Sequence, residues 1–252
     1  MSKWWLVVGG WWLVIGGAFG QEAGQIVRES QKRGESKSQQ YEGTLEVTGP
    51  SSKASLKRWS FERIGSGGNS KTMLRFLAPE EVKGVAVLII AHPGSASDQW
   101  IWTPALDRER RVAVQNRSTR FFGTDFSFED LEERDVNQFD YKLLGEANFD
   151  GERCWKIESR PKADAASQYT SSLLLIRKDV LVVAQIENYV KDRLVRRIHS
   201  TDLEKQDGIW AARTVQAFDG ARGSRTVLKF QKVRYNQPIP EGNFTVEALR
   251  YH

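Results

Sequence analysis

The sequence predicts a mainly β chain folded as an antiparallel meander, and three observations carry that prediction. About twelve short segments either alternate apolar and polar side chains or run apolar throughout, the patterns of half-buried and fully buried strands. Turn signals built from Gly, Pro and Asp-Gly separate these segments at short, regular intervals, so neighbours join as hairpins. Helical patterning is confined to Glu22–Arg33 and Ser127–Asp135. About twelve antiparallel strands must close into a barrel, split into two sheets or curl, because so wide a sheet twists strongly. No linker or internal repeat divides the pattern, so residues 21–252 are read as one domain.

The N-terminus stands apart. Lys3 precedes an apolar run from Trp4 to Ile15, and Ala18-Phe19-Gly20 places small residues where a signal peptidase requires them. Even extended to Phe19, the run stays short of the roughly 20 residues a membrane span needs. Residues 1–20 are therefore read as a cleaved signal peptide, with Gln21 opening the mature chain. The full chain carries +5, and removing Lys3 leaves 5 − 1 = +4, with acids and bases interspersed. Bases gathered on one element would suggest a nucleic-acid partner; this distribution does not. Cys154 is the only cysteine, so no internal disulfide can form, and a chain of this length can bury enough apolar area without one. Its alternation with Lys156 and Glu158 predicts a partly exposed, inert thiol. With no cysteine at the cleavage point to take a lipid, a soluble mature protein is expected, acting as a monomer.

Taken in order, Gln21–Gln39 is polar apart from Ile26 and Val27, and predicts a short helix that buries little and ends at Gly34. Tyr41–Thr48 alternates as a strand, and Gly49-Pro50-Ser51-Ser52 makes a turn. Leu56–Ile64 and Lys71–Leu77 are strands joined at Gly65–Asn69, with Trp59 and Phe61 on one and Leu74 and Phe76 on the other; Pro79 ends the second. Val85–Ala91 is apolar at every position, which predicts burial on both faces and a place near the sheet centre. Beyond residue 138 the strands are Phe139–Leu144, Arg153–Arg160, Tyr169–Arg177, Val180–Tyr189, Leu194–Leu203, Ile209–Phe218 and Thr226–Tyr235. Asp150-Gly151, Lys178-Asp179, Val190–Arg193, Asp207-Gly208 and Asp219–Gly223 are the turns between them.

Between the two sets of strands lies a different stretch, Asp98–Asp135. A short aromatic strand, Trp100–Trp102, ends at Pro104 and gives way to a basic patch of Arg108, Arg110 and Arg111. An aromatic segment follows, with Phe121, Phe122, Phe126 and Phe128 around Gly123, and runs into acids. Its residues suit either a loop plug that completes a core or a flap over an apolar cavity. Asp125 reads as the cap of a helix over Ser127–Asp135.

The ordered series Gly84-Val85-Ala86-Val87-Leu88, Asp98–Leu106, Arg110-Arg111-Val112 and Phe122–Leu131 resembles the exported outer-membrane lipoprotein-sorting protein family of Gram-negative bacteria. Gly208-Ile209-Trp210, Ile239-Pro240 and Phe244 extend the resemblance over nearly all of the mature chain, with Trp102 and Thr103 where that family has tyrosine and leucine. The resemblance implies a LolA/LolB-like fold: a strongly curved, incompletely closed antiparallel β-barrel around a hydrophobic cavity, with a few short helices as lid or plug. It implies a periplasmic carrier of a lipid or lipoprotein acyl chain, with a membrane receptor or RND-type transporter as partner, or an adaptor of the same fold that binds a protein. The cavity and flap would then comprise Trp59, Phe61, Leu74, Phe76, Val87, Ile89, Trp100, Trp102, Phe121, Phe122, Phe126, Phe128 and Leu131, with Arg108, Arg110 and Arg111 as a headgroup rim.

Catalysis and cofactors are not expected. His92, His199 and His252 have neither spacing nor cysteine partners for a metal. Ser127 lacks a nucleophile elbow. Asp98 and Asp125 could be pictured as a carboxylate pair, but as a strand-end group and a cap they carry simpler roles.

Overall fold

The computed structural model describes residues 16–49 and 54–251; the apolar run of the expected signal peptide and the turn at Pro50–Ser52 lie outside them. Thirteen antiparallel strands form a single, strongly curved and unclosed sheet. They are β1 (Ser38–Thr48), β2 (Ser55–Ser66), β3 (Asn69–Ala78), β4 (Ala86–Ile90), β5 (Asp98–Thr103), β6 (Arg108–Arg111), β7 (Phe139–Phe149), β8 (Glu152–Pro161), β9 (Ser171–Arg177), β10 (Val183–Val190), β11 (Arg193–Gln206), β12 (Ile209–Asp219) and β13 (Ser224–Tyr235). Their spatial order is β6-β5-β4-β3-β2-β1-β13-β12-β11-β10-β9-β8-β7, so the chain's first and last strands meet in the middle. The free edges, β6 and β7, are consecutive in sequence, and the segment joining them fills the concave side.

Twelve strands fall where the pattern places them, and β6 is the thirteenth. Its sequence, Arg-Glu-Arg-Arg, has no apolar alternation to reveal it; it is a strand because β5 offers an open ladder edge beside it. The turns largely follow from their residues. Asp150-Gly151 and Asp207-Gly208 both hold positive φ, as a two-residue hairpin with the sheet's own twist requires. Lys178-Asp179 is not so tight: the β9–β10 connection runs from Lys178 to Val182, with Leu181 left-handed.

Register decides which side chains share a face. Ile101, Val87, Leu74, Phe61 and Tyr41 lie opposite one another across β5, β4, β3, β2 and β1 and form one concave row. Trp100, Leu88 and Met73 form the matching convex row. The convex row is covered by the C-terminal segment, where Phe244 and Leu249 pack on Met73, Ala86, Leu88 and Trp102. Arg75 donates from its guanidinium to the carbonyls of Ala248 and Leu249, both at 2.9 Å, and holds that segment down. Two-sided burial of β4 therefore has a different cause from the one expected. It lies third from an edge, not at the centre, and the C-terminus supplies its second cover.

Helix α1 (Gly16–Arg33) begins earlier than the patterning suggested and buries more. Ala23 and Val27 are buried against Ile157, Leu174 and Ile176, because alanine and glycine on that face let the helix approach β7–β10 closely. Cys154 is fully buried rather than partly exposed. It lies between Ala147 and Arg177 in the ladder, and Arg177 reaches over to Glu152 and Asp179.

Gly43 marks the tightest point of the sheet's middle. It sits opposite both Trp59 on β2 and Phe230 on β13, and those two rings meet at 6.0 Å across it. A methyl group there would come within 2.7 Å of the Lys229 carbonyl oxygen and 2.9 Å of the Trp59 indole nitrogen. Gly43→Ala should lower stability by about 1–3 kcal/mol through overpacking; a urea midpoint equal to that of the parent would show that the sheet relaxes freely there.

Candidate functional site

The concave face carries two unlike regions. Over β1–β5, β12 and β13 it is apolar: Leu45, Trp59, Leu74, Phe76, Val87, Ile89, Ile101 and Leu228 face inward, with Phe61 partly buried beside them. Phe121, Phe126 and Phe128 insert among them, and Phe122 and Leu131 pack at the margin. Phe76 stacks on Phe121 at 5.6 Å, and Phe128 meets Phe121 edge-on at 5.6 Å. So packed, the aromatics leave a residual cavity of about 20 Å³, room for little more than one water-sized sphere.

Of the thirteen side chains expected to line a cavity, eleven belong to this cluster. Trp100 and Trp102 do not. Alternation along β5 points Gln99 and Ile101 inward and sends both tryptophans to the convex face, against the C-terminal segment. The basic patch is exposed on the edge strand β6; Arg111 pairs with Asp98 and lies over the Trp100 ring at 5.7 Å, and Arg250 pairs with Glu109 at 2.7 Å.

How the insert is held is the informative part. The backbone-to-backbone hydrogen bonds of Ala113–Asp135 stay within residues 113–138: Phe121 N–H donates to Phe126 at 2.9 Å, Phe128 to Thr119 and Glu129 to Arg117. It folds on itself, and each hydrogen bond that fastens it to the sheet has a side chain on at least one side. Asp125 is not a helix cap. Fully buried, it accepts from the hydroxyls of Ser224 and Thr226 on β13, while its own N–H donates to Thr226 Oγ1 at 2.8 Å. Arg120 pairs with Asp219 and lies 3.9 Å from Asp125. The expected helix over Ser127–Asp135 reduces to one 3-10 turn, Glu129–Leu131, started by a reciprocal pair: Ser127 N–H donates to Asp130, and Asp130 N–H to Ser127 Oγ. Asp98, bonded to Arg111 and His92, and Asp125, sealed against β13, serve separate contacts.

The second region, over β8–β11, was not foreseen. One concave row is apolar, running Leu143, Ile157, Leu174, Ile186 and Ile198. The row beside it is polar: Tyr141, Ser159, Ser172, Asn188 and Arg196 lie opposite one another, the last four buried. Glu129–Asp135 lies over this floor. Arg196 donates to Asp130 at 2.5 Å and Tyr169 donates to the same carboxylate at 2.8 Å. Glu132 takes a forked contact from Arg117 and another from Gln99; burial nonetheless pushes its pKa up, against the pull of Arg117, Ser97 and Gln99. A cavity of about 170 Å³ remains, lined among others by Arg117, Glu129, Asp130, Arg134, Tyr169 and Asn188. No local pattern in the sequence marks it, because each strand contributes a single polar residue and only pairing shows that they align.

The fold, a curved, unclosed antiparallel sheet whose concave face holds a helix and an inserted segment, is LolA-like. A LolA superfamily protein from Nitrosomonas europaea superposes with a TM-score of 0.72 at 18% identity, over 90% of this chain and 99% of that one. A putative outer membrane lipoprotein-sorting protein domain from Vibrio parahaemolyticus gives 0.86 at 24% identity, over 92% and 99%. A DUF1329 family protein from Desulfovibrio piger gives 0.88 at 26% identity, again over 92% and 99%. A family model described as "uncharacterized protein" matches residues 68–251, and the chain belongs to that family. No curated protein matches it. The fold implied by the sequence resemblance is thus the fold found. Among the described residues no helix is long and apolar enough to cross a membrane, and no cluster of His, Cys, Asp or Glu suits a metal ion.

Removing the Asp125 carboxylate would leave the Ser224 and Thr226 hydroxyls without an acceptor in a dry site. Asp125→Ala should cost about 3 kcal/mol and speed amide exchange across residues 113–135 ahead of the strands. Unchanged exchange in that segment would mean that the aromatic contacts alone hold it.

Proposed function

We propose that the protein is a periplasmic carrier that shields a lipid or lipoprotein acyl chain beneath the Phe121–Leu131 segment during transfer toward the outer membrane. The observation that carries this reading is the self-contained bonding of residues 113–135. Such a segment can swing off the sheet without breaking one ladder hydrogen bond, and what it uncovers is a continuous apolar wall. An acyl chain entering there replaces the contacts of Phe121, Phe126 and Phe128, and burial at about 25 cal/mol per Å² supplies the driving force without a cofactor. Closed, the segment stands in for the cargo; open, it exposes an apolar face too large to leave in water, which couples release to a membrane receptor or transporter. The sorting-protein description of the Vibrio structure accords with this reading, as does the expected signal peptide.

A second reading is favoured by the small residual cavity of about 20 Å³: an adaptor of the same fold, permanently plugged, that binds a protein partner. Crosslinking in cells separates the two, since an adaptor traps one protein and carries no lipid.

Organic extraction of natively purified protein, followed by mass spectrometry, should recover lipid; empty protein that also fails to bind a fluorescent fatty acid would sink the carrier reading. Phe126→Ala and Phe128→Ala should each shorten lipid retention per folded molecule, read as the dissociation rate of the bound probe. Lost stability with an unchanged dissociation rate would make the segment a fixed plug.

A further inference from the structure

Six charged residues of Glu129–Asp135, interrupted only by Leu131, roof the second cavity, and their partners are unevenly distributed. Glu129 accepts from Ser167 Oγ and Gln168 N–H. Asp130 is taken by Arg196 and Tyr169, Glu132 by Arg117, Glu133 by Arg63 and Gly67 N–H, and Asp135 by the N–H groups of Gly94 and Asn137. Every acid is spoken for. Arg134 alone has no carboxylate within ion-pair distance among the described residues. Its guanidinium donates once, to Ser159 Oγ at 3.1 Å, rests over the Phe139 ring at 3.7 Å, and leaves Nε enclosed without an acceptor.

A half-buried guanidinium in this position is costly at one atom, because its enclosed Nε–H has left water without an acceptor while the rest of the fork has one neutral partner and a ring face. Burial accordingly pulls its pKa below the usual arginine value, with Glu129 and Asp130 offsetting only part from a distance. The floor beneath it offers hydroxyl and amide groups, Ser159, Ser172 and Asn188, all set in one cross-strand row. A planar fork over neutral hydrogen-bonding groups is the arrangement that receives a carboxylate or phosphate. The cavity of about 170 Å³ has room for such a group.

Resting on the carrier reading, we infer that this cavity receives the anionic head, a carboxylate or phosphate oxyanion, of the amphiphile whose chain lies under the Phe121–Leu131 segment, with Arg134 as its charged contact. The two concave regions then correspond to the two ends of one ligand. Residues Glu129–Leu131 join them, so that binding at the head cavity bears on the segment that covers the chain.

The test compares hexadecanoic acid with hexadecanol on the full chain at neutral pH, by displacement of an uncharged fluorescent lipid. The acid should bind roughly tenfold tighter or better, the effect of one charge-assisted fork. Arg134→Gln should bring the acid to the level of the alcohol while the alcohol is unchanged, and Arg134→Lys should keep part of the preference. Equal affinities in the parent protein, or a parallel loss of both in R134Q, overturns the inference, and the parent comparison stands even where a variant folds poorly. Calorimetry with inorganic phosphate distinguishes the failures. Arg134-dependent phosphate binding without amphiphile binding keeps the anion site and removes the carrier reading; binding of neither removes the anion site as well.

Discussion

A thirteen-stranded antiparallel sheet that curls without closing has a concave apolar face and nothing of its own to put there. Everything else in the molecule answers that constraint. A closed small barrel fills its interior with the side chains of its own opposite wall. Here the walls stand too far apart, and the filling is brought in by α1 over β7–β10 and by the segment between β6 and β7 over the remainder. Because the filler joins the two free edges, it is tethered at both ends to the rims of the space it fills. Its backbone bonds to itself and its aromatic rings bond to the sheet only by contact, so its hold is strong in area and weak in geometry.

The polar fastenings locate that filler more than they stabilise it. Asp125 on Ser224 and Thr226, Arg120 on Asp219, and Arg196 on Asp130 join the segment to β11, β12 and β13. Buried ion pairs return little net energy after desolvation, but a misplaced one is severely penalised. The apolar contacts would tolerate several placements of four phenylalanines; the charges accept one.

The convex face follows a different rule. A sheet face left to water should alternate to polar residues, and most of this one does. Over β3–β5 it does not, and the C-terminal 3-10 turns cover Met73, Leu88 and Trp102 there. That cover leaves the concave side of β4 and β5 to the inserted segment alone and stiffens the wall on which the segment rests. The exposed edge strand β6, short and charged, resists pairing with a second chain.

The strands, their antiparallel hairpins and the identity of the filling segment were legible in the sequence, because period-2 patterning, Asp-Gly turns and a run of phenylalanines are local properties. Eleven of thirteen expected lining residues share the concave cluster for the same reason: a side chain's face is fixed by its parity along the strand. Trp100 and Trp102 were misplaced because parity names two faces without saying which is inner, and a large aromatic suits either when both are covered. The β6 strand, the buried carboxylate of Asp125 and the polar row from Tyr141 to Arg196 were invisible for a common physical reason. Each exists through partners distant in sequence: a ladder edge, two hydroxyls 99 and 101 residues away, and five strands in register. The sequence by itself determined which residues seek burial and how they turn. Only the tertiary structure decided what they are buried against, because curvature and register are properties of the whole sheet, and those set where the apolar wall gives way to the polar row.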